Sequence, residues 1–391
     1  MKILVICQYY YPEPVRIPDI CEELVKQGHE VDVVTGVPNY PLGYIYEGYK
    51  GKQHRDEVIG GVNVHRCFTI GRRTGAIWRA LNYFSFAISS SLYAGKLKDK
   101  YDVVFVNQLS PVTMAFPAVV YKNKYKKRLV YYCLDLWPES LIAGGIQRES
   151  IIFKIFHVIS KYLYKKADKI LVSSQQFEKY FEDTMGISKD KLDYLPQYAE
   201  DLFKPMQPVE KHTIDFTFAG NVGVFQNVEI IVKTAELFQQ NPDIRFHIVG
   251  DGISLDKCKE LAKERNIKNV IFHGRKPVEE MPKYYAMSDA MLVTLKKDPF
   301  ISLTLPGKVQ SYMAVGKPII GSIDGEAQKV IRDSECGFCA PAEDEEALKK
   351  CIDEFLESNK AALGQNALQY YQNNFRKIKF VSRLIDHLRD V

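Results

Sequence analysis

Asp215-Phe216-Thr217-Phe218-Ala219-Gly220-Asn221-Val222-Gly223 is the stretch that decides the fold. A five-residue strand run built on Phe216, Thr217 and Phe218 leads straight into a glycine turn, and a helical pattern follows over 228–240. The chain repeats this unit. Downstream, strands are expected at 245–249, 270–272, 290–294 and 318–321, with helices such as 254–266 between them. Upstream, short apolar runs at 2–6, 29–34, 62–68, 102–106, 129–133 and 169–172 alternate with helical stretches in the same way. Strand–helix–strand alternation predicts an α/β fold with parallel, doubly wound sheets, one Rossmann-like domain in each half of the chain.

At 391 residues the chain exceeds what one compact core accommodates. The expected division is 1–200 and 201–365, with a proline-containing linker between Pro196 and Pro208. The apolar-aromatic helical pattern over about 366–391 has no strand after it and is expected to pack back on the first domain. A hydrophobic fraction of 46% and a charged fraction of 26% are those of a globular protein. No run of 18 apolar residues exists, and the start lacks the apolar core of a signal peptide, so cytoplasmic residence is expected. Eight cysteines there make no disulfide scaffold. The one C-x-x-C, Cys336 to Cys339, has no second pair or histidine cluster and reads as a buried strand after a glycine turn.

The net charge of +5 conceals an asymmetry. Residues 66–169 carry 18 basic and 6 acidic groups, whereas residues 201–391 carry 26 and 27. A field this concentrated predicts an anionic partner for the first half.

In open α/β sheets ligands sit beyond the carboxyl ends of the strands. Four strand-end turns of the second half stand out: Gly220 to Gly223, Gly250-Asp251-Gly252, His273-Gly274-Arg275 and Pro306-Gly307-Lys308. Glycines let backbone N–H groups approach an anion near a helix start. Lys308 stands in the first turn of a helix, where the macrodipole disfavours a cation unless an anion is present. A diphosphate resolves that conflict; a solvated surface lysine is the plainer reading. In the first half, the strand over 129–133 runs into Asp135-Leu136-Trp137-Pro138-Glu139. Two carboxylates four apart at a strand's carboxyl edge suit acid/base or substrate-orienting work. The plainer alternative makes Asp135 a helix cap and Trp137 core.

Asp135-Leu-Trp-Pro-Glu-Ser140, Gly220-Asn-Val-Gly223, Pro306-Gly-Lys308, Tyr312-Met-Ala-Val-Gly-Lys-Pro318 and Asp324-Gly-Glu326 together resemble glycosyltransferase family 4. The likeness covers nearly the whole chain, including Gly28-His-Glu-Val31 and Pro38-Asn-Tyr-Pro41. It lies in the bacterial branch that builds capsule, O-antigen and colanic-acid repeat units, with N-acetylfucosamine and fucose transferases among its members. The resemblance implies the GT-B fold, two Rossmann-like domains facing across a cleft, a retaining mechanism, and neither metal nor cofactor. It implies a nucleotide-sugar donor on the second domain and the acceptor on the first. By matching positions, Gly220, Asn221 and Gly223 face the donor phosphates, with Lys308 and Gly307 at the diphosphate. Gly250, Asp251, Gly252 and Arg275 lie near the base, Glu326 near the sugar, and Asp135 and Glu139 at the reacting centre.

The sequence departs from the family pattern in three places. Leu303 and Ser311 stand where two glutamates are usual, Asn221 and Gln226 where an arginine and a lysine are usual. The first loop reads Pro14-Val15-Arg16-Ile17 in place of paired glycines. Lys308 therefore inherits much of the positive charge, with Arg16 a candidate to share it.

Basic residues interleaved with apolar and aromatic ones fill the charged region: Arg72, Arg73, Trp78 and Arg79, then Lys124, Lys126, Lys127 and Arg128, then residues 151–169. These suit an anionic membrane surface, here the inner leaflet, with a lipid-linked saccharide as acceptor. No nucleic-acid motif accompanies them. A nucleotide-sugar epimerase remains as an alternative. A dinucleotide-dependent oxidoreductase is disfavoured because the first strand leads to Cys7-Gln8-Tyr9-Tyr10, not to a G-x-G-x-x-G turn.

Overall fold

The computed structural model describes residues 1–51, 53–206, 209 and 211–389. Its contacts divide the chain into two units. The first comprises Met1–Ser173, Phe177–Leu195 and the end of the chain from Val381; the second comprises Ser174–Gln176 and Pro196–Phe380.

The first unit runs β1 (Lys2–Ile6), α1 (Ile17–Lys26), β2 (Glu30–Gly36), β3 (Asp56–Ile59), β4 (Val62–Cys67), α2 (Ala76–Lys96), β5 (Val103–Gln108), α3 (Phe116–Tyr125), β6 (Arg128–Cys133), α4 (Ile151–Lys165), β7 (Lys169–Val172), α5 (Phe177–Tyr180) and β8 (Leu192–Tyr194). Its sheet has the order β3-β4-β2-β1-β5-β6-β7-β8, parallel throughout except for β3, which pairs antiparallel with β4. Ile3, Leu4, Val5 and Ile6 are all fully buried, as a central parallel strand covered on both faces requires. Each such side chain contributes roughly 1.5–3 kcal/mol through burial. In α1, Ile17, Ile20, Cys21 and Leu24 recur at helical spacing and face the core, with Pro18 in the first turn. Gly28, at a φ of 83°, stops it.

The second unit runs β9 (Ile214–Ala219), α6 (Glu229–Glu236), β10 (Ile244–Val249), α7 (Leu255–Glu264), β11 (Val270–Gly274), α8 (Met281–Met287), β12 (Ala290–Thr294), α9 (Gly307–Ala314), β13 (Ile319–Ser322), α10 (Glu326–Asp333), β14 (Gly337–Ala340), α11 (Glu345–Glu357) and α12 (Lys360–Asn374). α13 (Lys377–Arg389) ends the described chain. The sheet order is β11-β10-β9-β12-β13-β14, all parallel. This order reverses direction between β9 and β12. Connections diverge there to opposite faces, which opens a crevice at the carboxyl edge. In the first unit the same reversal falls between β1 and β5.

Three expectations change. One helix over 366–391 is replaced by two, because Asn373 and Asn374 are weak helix formers and Phe375 turns inward against Tyr370, ring centres 5.6 Å apart. Contacts divide the chain at Leu195/Pro196, with residues from Val381 returned to the first unit. A short hairpin strand, β3, also lies outside the expected set; its alternately exposed residues carry little apolar signal. Cys336 is buried and Cys339 lies on β14, the strand expected there.

Candidate functional site

The glycine turns of the second unit are laced into one surface. Gly220 N–H donates to Val249 O (2.9 Å), Val222 N–H to Asp251 O (2.9 Å) and Gly250 N–H to Gly274 O (2.9 Å). This ties the loops after β9, β10 and β11 edge to edge. Glycine is required at 250, where a Cβ would lie 1.8 Å from the Gly220 carbonyl oxygen. Gly223 is crowded by the Gln226 amide, and Asn221 Nδ2 donates to Gln226 Oε1 at 3.4 Å. Asp251 Oδ1 accepts from Gly252 N–H at 2.8 Å and so serves its own turn. Arg275 is exposed just past β11.

Lys308 is the focus of this surface. It is the second residue of α9, beside the reversal between β9 and β12. Its Nζ lies 3.6 Å from the centre of the Phe218 ring, and a Cβ on Gly220 would stand 3.1 Å away. The residue is half-buried, but the nitrogen itself is closed off from solvent and has no hydrogen-bond partner among the described residues. Burial pulls its pKa from 10.5 down to about 7. The surface-lysine reading is therefore excluded. A desolvated cation at the positive end of a helix breaks two local rules at once. The Phe218 ring offsets part of the cost, about 2 kcal/mol at best. An anion over the Gly220 turn would offset the rest. Gly307 opens α9 with free space where a side chain would be.

Glu326 begins α10 and is only 2% exposed. Its Oε1 accepts from Gln175 N–H at 3.3 Å, its Oε2 has no hydrogen-bond partner among the described residues, and burial raises its pKa. It thus anchors the segment 174–176 that groups with this unit.

In the first unit, Asp135 follows β6. Its Oδ2 accepts from Ser110 N–H (3.1 Å) and Ser110 Oγ (2.9 Å), and Trp137 Nε1 donates to the same hydroxyl oxygen at 2.8 Å. Burial raises the Asp135 pKa, and the Ser110 bonds pull against that rise. Trp137 is core, at 2% exposure, as the plainer reading had it; Asp135 caps no helix among the described residues. Glu139 differs from Asp135. Its carboxylate pairs with Arg148 Nε at 3.1 Å and accepts from the Tyr180 hydroxyl at 3.4 Å. A carboxylate paired in this way holds a loop in place.

Residues 201–374 match a family described as "Glycosyl transferases group 1", and residues 14–197 match a "Glycosyl transferase 4-like domain". The protein is a glycosyltransferase. A Pseudomonas aeruginosa protein named as a glycosyltransferase, WbjE, is 26% identical over 88% of this chain and 93% of its own. An Escherichia coli K12 protein named as a colanic acid biosynthesis glycosyl transferase, WcaI, is 24% identical over 81% of this chain and 82% of its own. The structure of Anabaena HepE in complex with UDP covers all of both chains at 13% identity and a TM-score of 0.74, which shows the GT-B fold. The epimerase alternative draws no support from these relatives.

The glycosyltransferase gathers Gly220, Asn221, Gly223, Gln226, Gly250, Gly252 and Lys308 at one sheet edge of its second unit. Arg16 belongs to the first unit, at the N-cap of α1. Two of the basic stretches fall at opposite edges of the first sheet. Arg72, Arg73, Trp78 and Arg79 lie at or before the start of α2, on the carboxyl edge of the sheet. Lys124, Lys126, Lys127 and Arg128 run from the last turn of α3 to the first residue of β6, at the opposite edge. There Lys124 donates to Gly95 O (2.7 Å), Lys127 pairs with Asp99 (2.9 Å), and the patch is partly neutralised. The intervening helices each cross the sheet, and a linear reading of charge does not register that crossing.

Three residues escaped the sequence reading. Ser110 holds Asp135, and nothing in its neighbourhood signalled it. Glu13, 4% exposed, accepts from the N–H groups of Tyr10 (3.1 Å), Asn39 (2.8 Å) and Tyr40 (2.7 Å), clamping the loops after β1 and β2 together. Burial nonetheless lifts its pKa to about 7. Lys296 follows β12, and its N–H donates to Phe225 O at 2.9 Å, beside the Gly223 turn. The strand-end rule applied to β12 would have found it.

Proposed function

We propose that this glycosyltransferase moves a sugar, with retention, from a nucleotide-sugar to a polyprenyl-diphosphate-linked saccharide in the assembly of a surface polysaccharide such as capsule or O-antigen. A UDP-sugar, such as one carrying an N-acetylated deoxy-amino sugar, is the favoured donor. The observation that carries this reading is Lys308, an unpaired, desolvated ammonium group beside a glycine turn. It stands where the departing diphosphate gains charge, and a preorganised cation there stabilises the transition state more than the ground state. Lys296 is a further cation for the same diphosphate, which on this reading needs no metal. Glu326 lies towards the sugar, with Arg275 and Gly250 to Gly252 towards the base. Asp135, not Glu139, deprotonates or orients the acceptor hydroxyl, because Glu139 is already committed to Arg148. The UDP complex of HepE and the colanic-acid name of WcaI support donor and setting. Incubating the protein with labelled UDP-sugars and a lipid-linked saccharide, then reading the anomeric configuration of the product by NMR, tests this. The expected product keeps the donor's configuration; an inverted product removes the retaining assignment.

The reading also places the protein on the cytoplasmic face of the membrane. No described helix is long and apolar enough to cross it. Yet α2 and α4 contain no carboxylate, touch through Phe84 and Phe156 (6.3 Å between ring centres), and expose Ile77, Leu81, Ile88, Ile151, Ile155 and Val158. Lys154, Lys161 and Lys165 flank these residues. Such a face suits anionic lipid. Flotation with phosphatidylglycerol vesicles at low salt is expected to carry the protein up, and paired Ile88→Glu and Val158→Glu changes to cut binding about tenfold or more. Equal flotation of both forms would count against this face.

A further inference from the structure

Beside Asp135, the first unit holds a second cation that the transfer chemistry leaves unused. The Arg72 guanidinium lies 5.6 Å from the ring centre of Tyr40 and 5.8 Å from that of Tyr83, with Tyr9 packed on Tyr40 at 5.3 Å. It forms no ion pair among the described residues. Arg79, one turn into α2, forms none either, and lies against Gly144. The cage is held by buried polar groups. Arg72 N–H donates to Asn39 Oδ1 (3.1 Å), which also accepts from Asn82 Nδ2 (3.1 Å). Asn82 Oδ1 in turn accepts from Gln8 Nε2 (2.8 Å). Three interior amides spent on fixing the backbone under one arginine that no carboxylate partners make a preorganised site, not a solvated surface charge.

Tyr83 joins this cage to the acceptor carboxylate. Its ring meets Trp137 edge-on at 6.4 Å, Trp137 shares the Ser110 hydroxyl with Asp135, and the charges of Arg72, Arg79 and Asp135 all act on its hydroxyl. From Arg79 the exposed apolar stripe of Ile77, Leu81, Phe84 and Ile88 runs along the same helix. Two guanidinium groups without a carboxylate partner among the described residues, an aromatic floor and a hydrocarbon track on one helix match one kind of molecule: a phosphate ester of a long hydrocarbon chain. Guanidinium binds phosphate oxygens two at a time, while its flat faces stack on the rings.

We propose that Arg72, supported by Arg79, is the subsite that grips the diphosphate of the lipid-linked acceptor and lays its hydrocarbon chain along α2. This deepens the transferase reading and rests on it for the acceptor's identity, but the subsite is testable without transfer.

The probe is farnesyl diphosphate, titrated by calorimetry into the full chain with excess UDP present to occupy the donor surface. Binding is expected for the native protein and for Lys308→Met, and about tenfold to a hundredfold weaker for Arg72→Met, as loss of a charged hydrogen-bonding group implies. Arg72→Lys, which keeps the charge but not the fork, is expected to fall between. Farnesol should not bind, and inorganic diphosphate should bind more weakly than the farnesyl ester. Equal affinity in native and Arg72→Met protein, no binding to the native protein, or binding lost in Lys308→Met instead would each overturn the subsite. If Arg72→Met fails to fold, Arg79→Met and Arg72→Lys carry the same comparison. A negative result for UDP alone would indict the donor reading and leave this one standing.

Discussion

Replacing Lys308 by methionine is expected to make the unliganded protein more stable and the enzyme nearly inactive. Burial holds the Lys308 pKa near 7, against 10.5 for a free lysine. Between those two values the unfolded chain carries a proton that the folded chain does not, so stability rises with pH across that window. At pH 7 and below, the cost of the lysine stands at its largest; above 10.5 it is gone. Methionine keeps the length and removes the titration, and should gain roughly 2–4 kcal/mol at pH 7 after allowing for the lost cation–π contact. The gain should shrink towards zero as pH approaches 10. Transfer, in contrast, should fall by about 10²–10³-fold, the usual cost of removing one preorganised charge stabiliser. Urea unfolding at pH 7 and pH 10, with a single-turnover assay, checks both halves. A variant that is less stable than the native protein at pH 7 would contradict the buried, unpaired state of this amine.

Asp135→Asn should be the second large effect. Asparagine keeps the shape and can still accept from Ser110, so the fold and donor affinity should be unchanged. It cannot take a proton, and the transfer rate at saturating donor should drop by about 10²–10⁴-fold. The native rate should climb with pH as Asp135 ionises, at a pH above the ordinary carboxylate range because burial raises its pKa. In the asparagine variant that limb should be absent. Glu139→Gln separates the two carboxylates: it should cost about 1–3 kcal/mol in stability through the lost Glu139–Arg148 ion pair, with the pH limb intact. A rate that is normal in Asp135→Asn and lost in Glu139→Gln would exchange their roles.

Much of this was legible in the residues because two strong periodic signals coincide with it. Fully buried parallel strands such as β1 and β6 are continuous apolar runs, and the glycine turns after β9 and β10 mark strand ends. Lys308 was legible as a conflict, a cation in the first turn of a helix, though not as a buried one; that depends on Phe218 folding beneath it. What escaped was what only tertiary contact creates. Glu13 clamps loops 26 residues apart in sequence, and Ser110 reaches Asp135 across 25. The basic residues read as one face because sequence order says nothing of which sheet edge a helix ends on. Arg72 and Lys124 are separated by two helices that each cross the sheet, and only Arg72 sits at the edge where ligands bind.

The central claim is that the Gly220 turn and Lys308 together receive a nucleotide diphosphate. Calorimetric titration with UDP at pH 8.5, in two buffers of different ionisation enthalpy, tests it most directly. The account predicts that UDP binds with uptake of close to one proton, because the diphosphate recharges Lys308, and that Lys308→Met binds about tenfold to a hundredfold more weakly with no uptake. Equal affinity in both proteins, or no binding of UDP or any other nucleoside diphosphate to the native protein, would contradict it.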